Sequence, residues 1–223
     1  MALPAALLAL HSRLRVIETP RVDALAFAWP ELDAMLPDGG LPPGVTELAS
    51  DGALGTSALA FAAVRAVHTR DARAWCAWVE LGDSLHAPGA AQVGVDLARL
   101  LVVRPSSRDA ARVSVRVASS GAFDLIVIDA FGFLQQPQTA RARGLSPDVI
   151  VRKLALSAES HGARVLLLSD SLLHRVMPWP VALRLAVERA PNELVVRVVK
   201  ERHGRLGLAS ARVPFSTRPC RAG

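Results

Sequence analysis

Residues 39–57 read GGLPPGVTELASDGALGTS, and this segment has the layout of a phosphate-binding loop. A turn precedes a short apolar strand from Val45 to Ala49, a loop containing glycine follows, and a helix begins near Thr56. In a phosphate-binding loop, backbone N–H groups and the N-terminus of a helix converge on an anion. The segment therefore predicts an α/β domain organised around a strand–loop–helix unit.

The residues that would carry out nucleotide chemistry in this loop are incomplete. The working motif is Gly-x-x-x-x-Gly-Lys-Ser/Thr, in which the lysine reaches the outer phosphates and the hydroxyl holds magnesium. This chain has Thr56 in place of the lysine, and Asp51 adds a negative charge. One unit charge 4 Å from another is worth ~4 kcal/mol at an effective dielectric of ~20. We therefore expect a degenerate nucleotide site and no cofactor. The predicted degenerate site comprises Ser50, Asp51, Gly52, Gly55, Thr56, Ser57 and Asp129.

Length and composition point to one cytoplasmic domain. A chain of 223 residues is long enough for a large core. No apolar run reaches the length of a membrane span, and the first residues lack the features of a signal peptide. Two cysteines, Cys76 and Cys220, do not make a disulfide framework. The six histidines are scattered without metal-ligand spacing, so we expect no metal site.

The net charge of +6 is concentrated in the last quarter of the chain. Residues 181–223 contain nine Lys or Arg against three Glu, whereas the 17 basic and 17 acidic residues before them balance. Such a cluster fits a polyanion or an acidic partner, or a solvated face of a sheet in an arginine-rich protein. Composition alone leaves these two interpretations open.

The first residues predict an amphipathic helical arm. Over residues 3–15, leucines recur at spacings of four, three and four, which places them on one face of a helix. This face packs on its own domain, or it docks on a neighbouring protein or on a second copy of the chain. The residues of the arm that would make this contact are Leu3, Leu7, Leu10 and Leu14. We divide the chain into an arm and linker at 1–22, an α/β core at 23–215 and a basic tail at 216–223.

The core pattern predicts a mostly parallel sheet with an antiparallel extension. Residues 123–129 form a nearly continuous apolar run that ends in Asp129, as is typical of a buried parallel strand. An acid there either polarises a magnesium-bound water or has structural partners only. From Val181 onward short alternating segments indicate hairpins. Trp75 and Trp78 are expected to pack in the core. The other predicted elements are helices at 29–36, 57–69, 87–93, 107–119 and 147–160, and strands at 74–80, 100–104, 164–169, 182–188, 194–199 and 205–213.

Several motifs together resemble the recombinase family typified by RecA. The resemblance rests on Leu32-Asp33, Gly39-Gly40-Leu41-Pro42, Gly94-Val95-Asp96, residues 124–129, and Val198-Val199-Lys200 with Arg202. It implies a RecA-like core and, in that family, ATP and single-stranded DNA as ligands. The water-activating glutamate of the family would fall near Gly82, and its second DNA-binding loop is reduced to about residues 171–180. Any DNA binding is expected to be weak and non-specific. The possible DNA contacts are Arg141, Arg143, Lys200, Arg202 and Arg205.

Within that family the front end is similar to the ImuA group of RecA-like accessory proteins. The similarity covers the leucine-rich first helix, the linker and residues 32–42. It implies a role in the SOS response and translesion mutagenesis, with RecA and ImuB as partners and a location at the nucleoid. The expected function is a catalytically silent regulator that binds RecA and modulates its filament. The alternative is a RecA-like ATPase or a DNA-binding accessory with an atypical nucleotide site.

Overall fold

The computed structural model describes residues 23–51, 55–82, 85–130, 146–170, 179–202 and 210–214. The predicted arm and the predicted C-terminal tail lie outside these residues, so the proposed domain boundaries stay predictions. The α-helices of this described part are α1 Pro30–Met35, α2 Thr56–Arg70, α3 Ala87–Gln92, α4 Ala110–Ala118 and α5 Pro147–His161. The eight strands are β1 Gly44–Ser50, β2 Cys76–Val79, β3 Leu100–Val103, β4 Leu125–Asp129, β5 Arg164–Asp170, β6 Leu183–Arg189, β7 Glu193–Glu201 and β8 Ser210–Pro214. Within these ranges the predicted elements are present, with ends displaced by a few residues.

All eight strands belong to one sheet, in the order β3-β2-β4-β5-β1-β6-β7-β8. The first six strands in this order pair in parallel, and β7 and β8 are antiparallel to their neighbours. The expected architecture, a mostly parallel sheet with an antiparallel C-terminal extension, is confirmed. Because parallel strands align their carboxyl ends, the residues that follow β1, β2, β4 and β5 meet at one edge, which we call the carboxyl edge.

Helices cover both faces of the parallel strands. On one face, α2 packs through Leu59 and Val64 against alternate strand residues such as Leu48. On the other, α5 packs through Leu154 against the intervening residues such as Leu167. Strands buried on both faces need apolar side chains at successive positions, which explains the continuous apolar runs of β4 and β5.

The segment that leads into β1 is held in the core by a tight turn. Asp33 accepts hydrogen bonds from the backbone N–H of Phe27 at 2.7 Å and of Trp29 at 3.2 Å. These two bonds stabilise the left-handed conformation of Ala28 between them, which has φ of 60°. Gly40 lies so close to this segment that a Cβ atom there would be 2.4 Å from the carbonyl oxygen of Leu25. The glycine is therefore required by close packing of the two backbones.

Charged groups fix the point where the chain enters the described core. Asp23 accepts hydrogen bonds from Arg70 at 2.7 Å and lies 3.6 Å from the buried guanidinium of Arg164. The hydrogen bond from Arg70 is the main cause that lowers the pKa of Asp23. Arg164 also donates to the backbone oxygens of Asp23 and Leu41. The start of β5 and the end of α2 are thereby joined to the lead-in segment.

The expectation that both tryptophans of β2 pack in the core is wrong for one of them. Trp78 is buried and its ring lies 5.1 Å from that of Phe61 on α2. Trp75, in contrast, is 46% exposed. It precedes β2, and its backbone pairs with Asp124 at the amino end of the sheet, outside the helix-covered layer.

Candidate functional site

The site begins where β1 ends and α2 starts. β1 ends at Ser50, and α2 begins at Thr56 after Gly55, whose φ is 95°. Gly55 has no side chain with which to cap the first N–H groups of α2, and the first turn contains no acidic residue. Gly52 and its two successors lie outside the described residues. The strand and the helix that the sequence predicts on either side of this loop are therefore present.

A glycine at position 55 is also favoured by packing, which is independent of phosphate binding. A Cβ atom at this position would lie 2.6 Å from Cδ2 of Leu194 on β7 and 3.4 Å from Cγ1 of Val187 on β6. Its positive φ is also a conformation that other residues rarely adopt. Packing of α2 against the antiparallel extension requires this glycine, whether or not a phosphate binds.

The hydroxyl groups of the site differ in their access to solvent. Thr56, at the position of the motif lysine, is completely buried, whereas Ser57 is exposed. Ser50 is buried, and its Oγ has no hydrogen-bond partner among the residues that the structure describes. The position of the motif lysine is thus occupied by Thr56, a small, buried side chain with a hydroxyl group.

Three carboxylates and Ser50 face the same side of the carboxyl edge as α2. Side chains two residues apart on a strand point to the same face. Leu48, Trp78, Val127 and Leu168 all pack on the α2 face. The residues two positions after them share that face, and they are Ser50, Glu80, Asp129 and Asp170. These acids lie on the same side of the sheet as the start of α2, and Glu80 is paired there with Arg104.

Glu80 is held by two hydrogen bonds, and the sequence interpretation did not include it as a site residue. Its side chain is completely buried and accepts hydrogen bonds from Nε of Arg104 and from the backbone N–H of Leu85, each at 2.8 Å. The water-activating acid had been expected near Gly82, which is exposed. The signal that would have found Glu80 is a charged residue directly after the apolar run of β2.

Neither lysine of the chain is placed to serve the phosphate loop. Lys153 lies on α5, which covers the opposite face of the sheet from α2. Lys200 lies on β7, and its Nζ donates to the backbone oxygen of Trp179 at 2.7 Å. Arg104 is engaged by Glu80. The lysine of the motif therefore has no substitute among the two lysines of the sequence.

The described DNA-contact candidates take part in contacts within the chain. Arg202 donates to Oε1 of Glu159 at 2.6 Å, and Lys200 is held as above. Arg141, Arg143 and Arg205 lie outside the described residues. The basic C-terminal strands also carry cross-strand ion pairs, Arg197 with Glu188 and Arg212 with Glu193. These contacts favour the interpretation of a solvated sheet face over a polyanion-binding face.

A buried ion pair joins adjacent parallel strands beside the site. Glu47 on β1 accepts a hydrogen bond from Nε of Arg184 on β6 at 2.6 Å and from Oγ of Ser169 on β5 at 2.7 Å. Both charged side chains are less than a tenth exposed. Three adjacent strands are therefore tied together by one carboxylate.

The thiol in the core is not a reactive group. Cys76 on β2 is buried, and burial is the main cause that raises the pKa of its thiol to about 12. Because the thiolate is the nucleophile and metal ligand, this cysteine serves as a core residue. Within the described ranges no cluster of three His, Cys, Asp or Glu residues could hold a metal ion.

Several exposed apolar side chains lie in or near β3, one of the two edge strands of the described sheet. Seven large hydrophobic residues of the described chain are exposed. Four of them belong to β3, to the residues before it, or to the amino end of neighbouring β2; we call these the β3 edge surface. They are Trp75 at 46%, Val93 at 44%, Leu97 at 41% and Leu101 at 44% exposed. Among the described strands, only β2 pairs with β3. Exposed apolar groups beside an unpaired strand edge are typical of a protein-contact surface.

The sheet order, with helices on both faces of the parallel strands, defines a doubly wound α/β protein. The model of the RecA N-terminal domain family matches residues 11–153, which is more than half of the chain. The chain belongs to this family. No curated protein matches it. No helix in the described part of the chain is both long and apolar enough to cross a membrane.

Proposed function

We propose that this protein is a catalytically silent RecA-like regulator that acts through protein contacts in damage-induced mutagenesis, in the manner of the ImuA group. Its partners in this proposal are RecA and ImuB. Binding to RecA limits the growth of its filament and so favours error-prone bypass over recombination.

The observation that most strongly supports the absence of catalysis is that Thr56 replaces the lysine of the phosphate-binding motif, between a strand and a helix that are both present. Thr56 is completely buried at the lysine position. The carboxylates of Glu80, Asp129 and Asp170 share the same side of the carboxyl edge. Loss of the motif cation weakens the attraction of this loop for a nucleoside triphosphate.

The surfaces that remain support a role in assembly. The sequence predicts an amphipathic arm, and the β3 edge surface offers exposed apolar side chains on the core. A head-to-tail interface propagates until a subunit fails to continue it. A subunit that joins a filament through one surface but does not hold ATP would therefore stop its growth.

The test is capture of purified RecA, and separately of ImuB, by the immobilised full chain. We compare the wild type with a variant that changes Leu7, Leu10 and Leu14 to Gln, and with Leu101→Glu on the β3 edge surface. The matched control is Leu156→Glu, because Leu156 is 61% exposed on α5 and lies outside the β3 edge surface.

The proposal expects that the arm variant or Leu101→Glu loses most of the captured partner, while Leu156→Glu captures as much as the wild type. In a strand-exchange assay, the wild type should inhibit RecA at less than stoichiometric amounts, because one subunit stops a whole filament. The proposal is refuted if the wild type captures neither RecA nor ImuB.

A second candidate is an atypical nucleotide site, and one observation favours it. The buried Oγ of Ser50 has no hydrogen-bond partner in the described residues, and it faces the side of the sheet on which α2 begins. An uncapped helix N-terminus attracts anions. The test is phosphate release from Mg-ATP by the wild type and by Ser57→Ala. If the wild type hydrolyses ATP and Ser57→Ala does not, the protein is an ATPase and the proposal of a catalytically silent regulator is wrong.

A further inference from the structure

Two histidines make hydrogen bonds to the segment that connects β2 with β3, one from within the segment and one from α2. We call residues 85–99 the β2–β3 connector. Nδ1 of His86 accepts a hydrogen bond from the backbone N–H of Gly89 at 3.0 Å, at the start of α3. Nδ1 of His68, on α2, accepts one from the backbone N–H of Asp96 at 3.3 Å. A ring nitrogen accepts a hydrogen bond only when it carries no proton, so both contacts require a neutral imidazole.

The surroundings of His68 make its neutral form the stable one. The side chain is buried, and its Nε2 has no hydrogen-bond partner among the described residues. The charged groups that act on the ring are Arg99 and Asp96. Burial, followed by the charge of Arg99, lowers the pKa of His68 from its ordinary value of 6.5, whereas Asp96 opposes the shift.

Arg99 fastens the end of the connector to the same place. Its guanidinium donates to the carboxylate of Asp96 at 2.8 Å and to the backbone oxygens of Asp71 at 3.0 Å and His68 at 3.4 Å. The residue that follows, Leu100, begins β3. Contacts to the end of α2 therefore hold the residues just before β3, between which Leu97 of the β3 edge surface lies.

Protonation of His68 would make this arrangement unfavourable in two ways. An Nδ1–H would face the N–H of Asp96, so that two donors meet without an acceptor. A positive charge would also be buried beside the guanidinium of Arg99, which costs far more than the neutral ring. Both costs are relieved when the connector moves away from α2 and water reaches the imidazole.

We propose that the end of the β2–β3 connector is an acid-released element: protonation of His68 detaches residues 96–99 from α2 and displaces Leu97 of the β3 edge surface. The additional consequence, that partner binding at this surface weakens in acid, rests on the proposed function.

The direction of the pH effect follows from proton binding. The released state binds a proton with the ordinary pKa of 6.5, while the attached state binds it with a lower pKa. The attached state is therefore favoured at neutral pH. Below 6.5 and down to the lowered pKa, the ratio of attached to released connector falls by up to about tenfold per pH unit.

The test is hydrogen–deuterium exchange of the full chain at about pH 7.5 and pH 5.5, corrected for the intrinsic pH dependence of exchange. The variant is His68→Asn, because the Asn side-chain oxygen can accept the Asp96 N–H without titrating. The matched control is His161→Asn, since His161 is exposed at the end of α5.

We expect amides from Asp96 to Val103 to lose protection in acid in the wild type and in His161→Asn, and to keep it in His68→Asn. An acid response of equal size in His68→Asn would overturn the proposal. If His68→Asn does not fold, nitrogen NMR of the wild type decides instead. The proposal requires a proton on Nε2 at neutral pH and loss of the Asp96 amide contact at the pH where His68 titrates; a proton on Nδ1 would overturn it.

Capture of purified RecA at the same two pH values tests this inference separately from the proposed function. If RecA is not captured at neutral pH, the proposed function is refuted, and the proposal about the connector is then tested by the hydrogen–deuterium exchange result alone. Capture that weakens in acid for the wild type but not for His68→Asn supports both. Equal capture by the wild type at both pH values would refute the additional consequence for partner binding.

Discussion

Replacement of Arg184 by Met should destabilise the fold severely, because it leaves a buried carboxylate without its charge partner. Glu47 and Arg184 form an ion pair at 2.6 Å with both side chains less than a tenth exposed. Removal of one partner from a buried pair costs ~3–5 kcal/mol, against a total stability of ~5–15 kcal/mol. The Met side chain keeps most of the volume of the arginine stem, so the lost charge rather than a cavity is measured.

Urea denaturation provides the assay. With a slope of ~3 kcal/mol per molar urea, a loss of this size lowers the midpoint by about 1–2 M. Arg197→Met is the control, since Arg197 forms its ion pair with Glu188 on an exposed face and such pairs contribute ~0–1 kcal/mol. A double variant with Glu47→Leu and Arg184→Met should recover most of the stability, because no buried charge remains. The reasoning is refuted if Arg184→Met costs no more than Arg197→Met.

Three further predictions concern the site, the core and nucleic acid. Gly55→Ala should destabilise the protein more than Gly162→Ala by ~1–3 kcal/mol in thermal or urea unfolding, because both have positive φ but only Gly55 has a side chain within 3 Å of its Cβ position; equal losses would contradict the packing role. In a Cys220→Ser variant, Cys76 should resist alkylation near pH 8 until the protein unfolds, and rapid labelling of the native state would show that its thiol is accessible. Any affinity for single-stranded DNA should be weak and fall steeply as salt rises, and a salt-independent affinity would contradict a contact made through phosphates.

Helices and strands whose residues follow a regular pattern of burial were predictable from the sequence. The apolar run that ends in Asp129 identifies a strand buried on both faces, and the structure places β4 in the parallel part of the sheet. Alternation after Val181 likewise predicts β7 and β8, because only one face of each strand is covered; β6 is mostly buried and pairs in parallel with β1. The strand–loop–helix unit around Gly55 was also predictable from its glycines and from the helix that follows.

Features that depend on distant partners were not predictable. Glu80 is buried because Arg104, 24 residues away, and the amide of Leu85 satisfy its carboxylate. Glu47 pairs with a residue 137 positions later. Trp75 has the composition of a core residue, but its place before the strand leaves it exposed. No local pattern encodes such contacts, because they are fixed only when the strand order is known.

Calorimetric titration of Mg-ATP into the full chain tests the central claim of a dismantled phosphate site most directly. The account predicts no heat of binding at millimolar nucleotide, and no rise in unfolding temperature. Saturable binding with a stabilisation of ~2.7 kcal/mol at one hundred times Kd would contradict it.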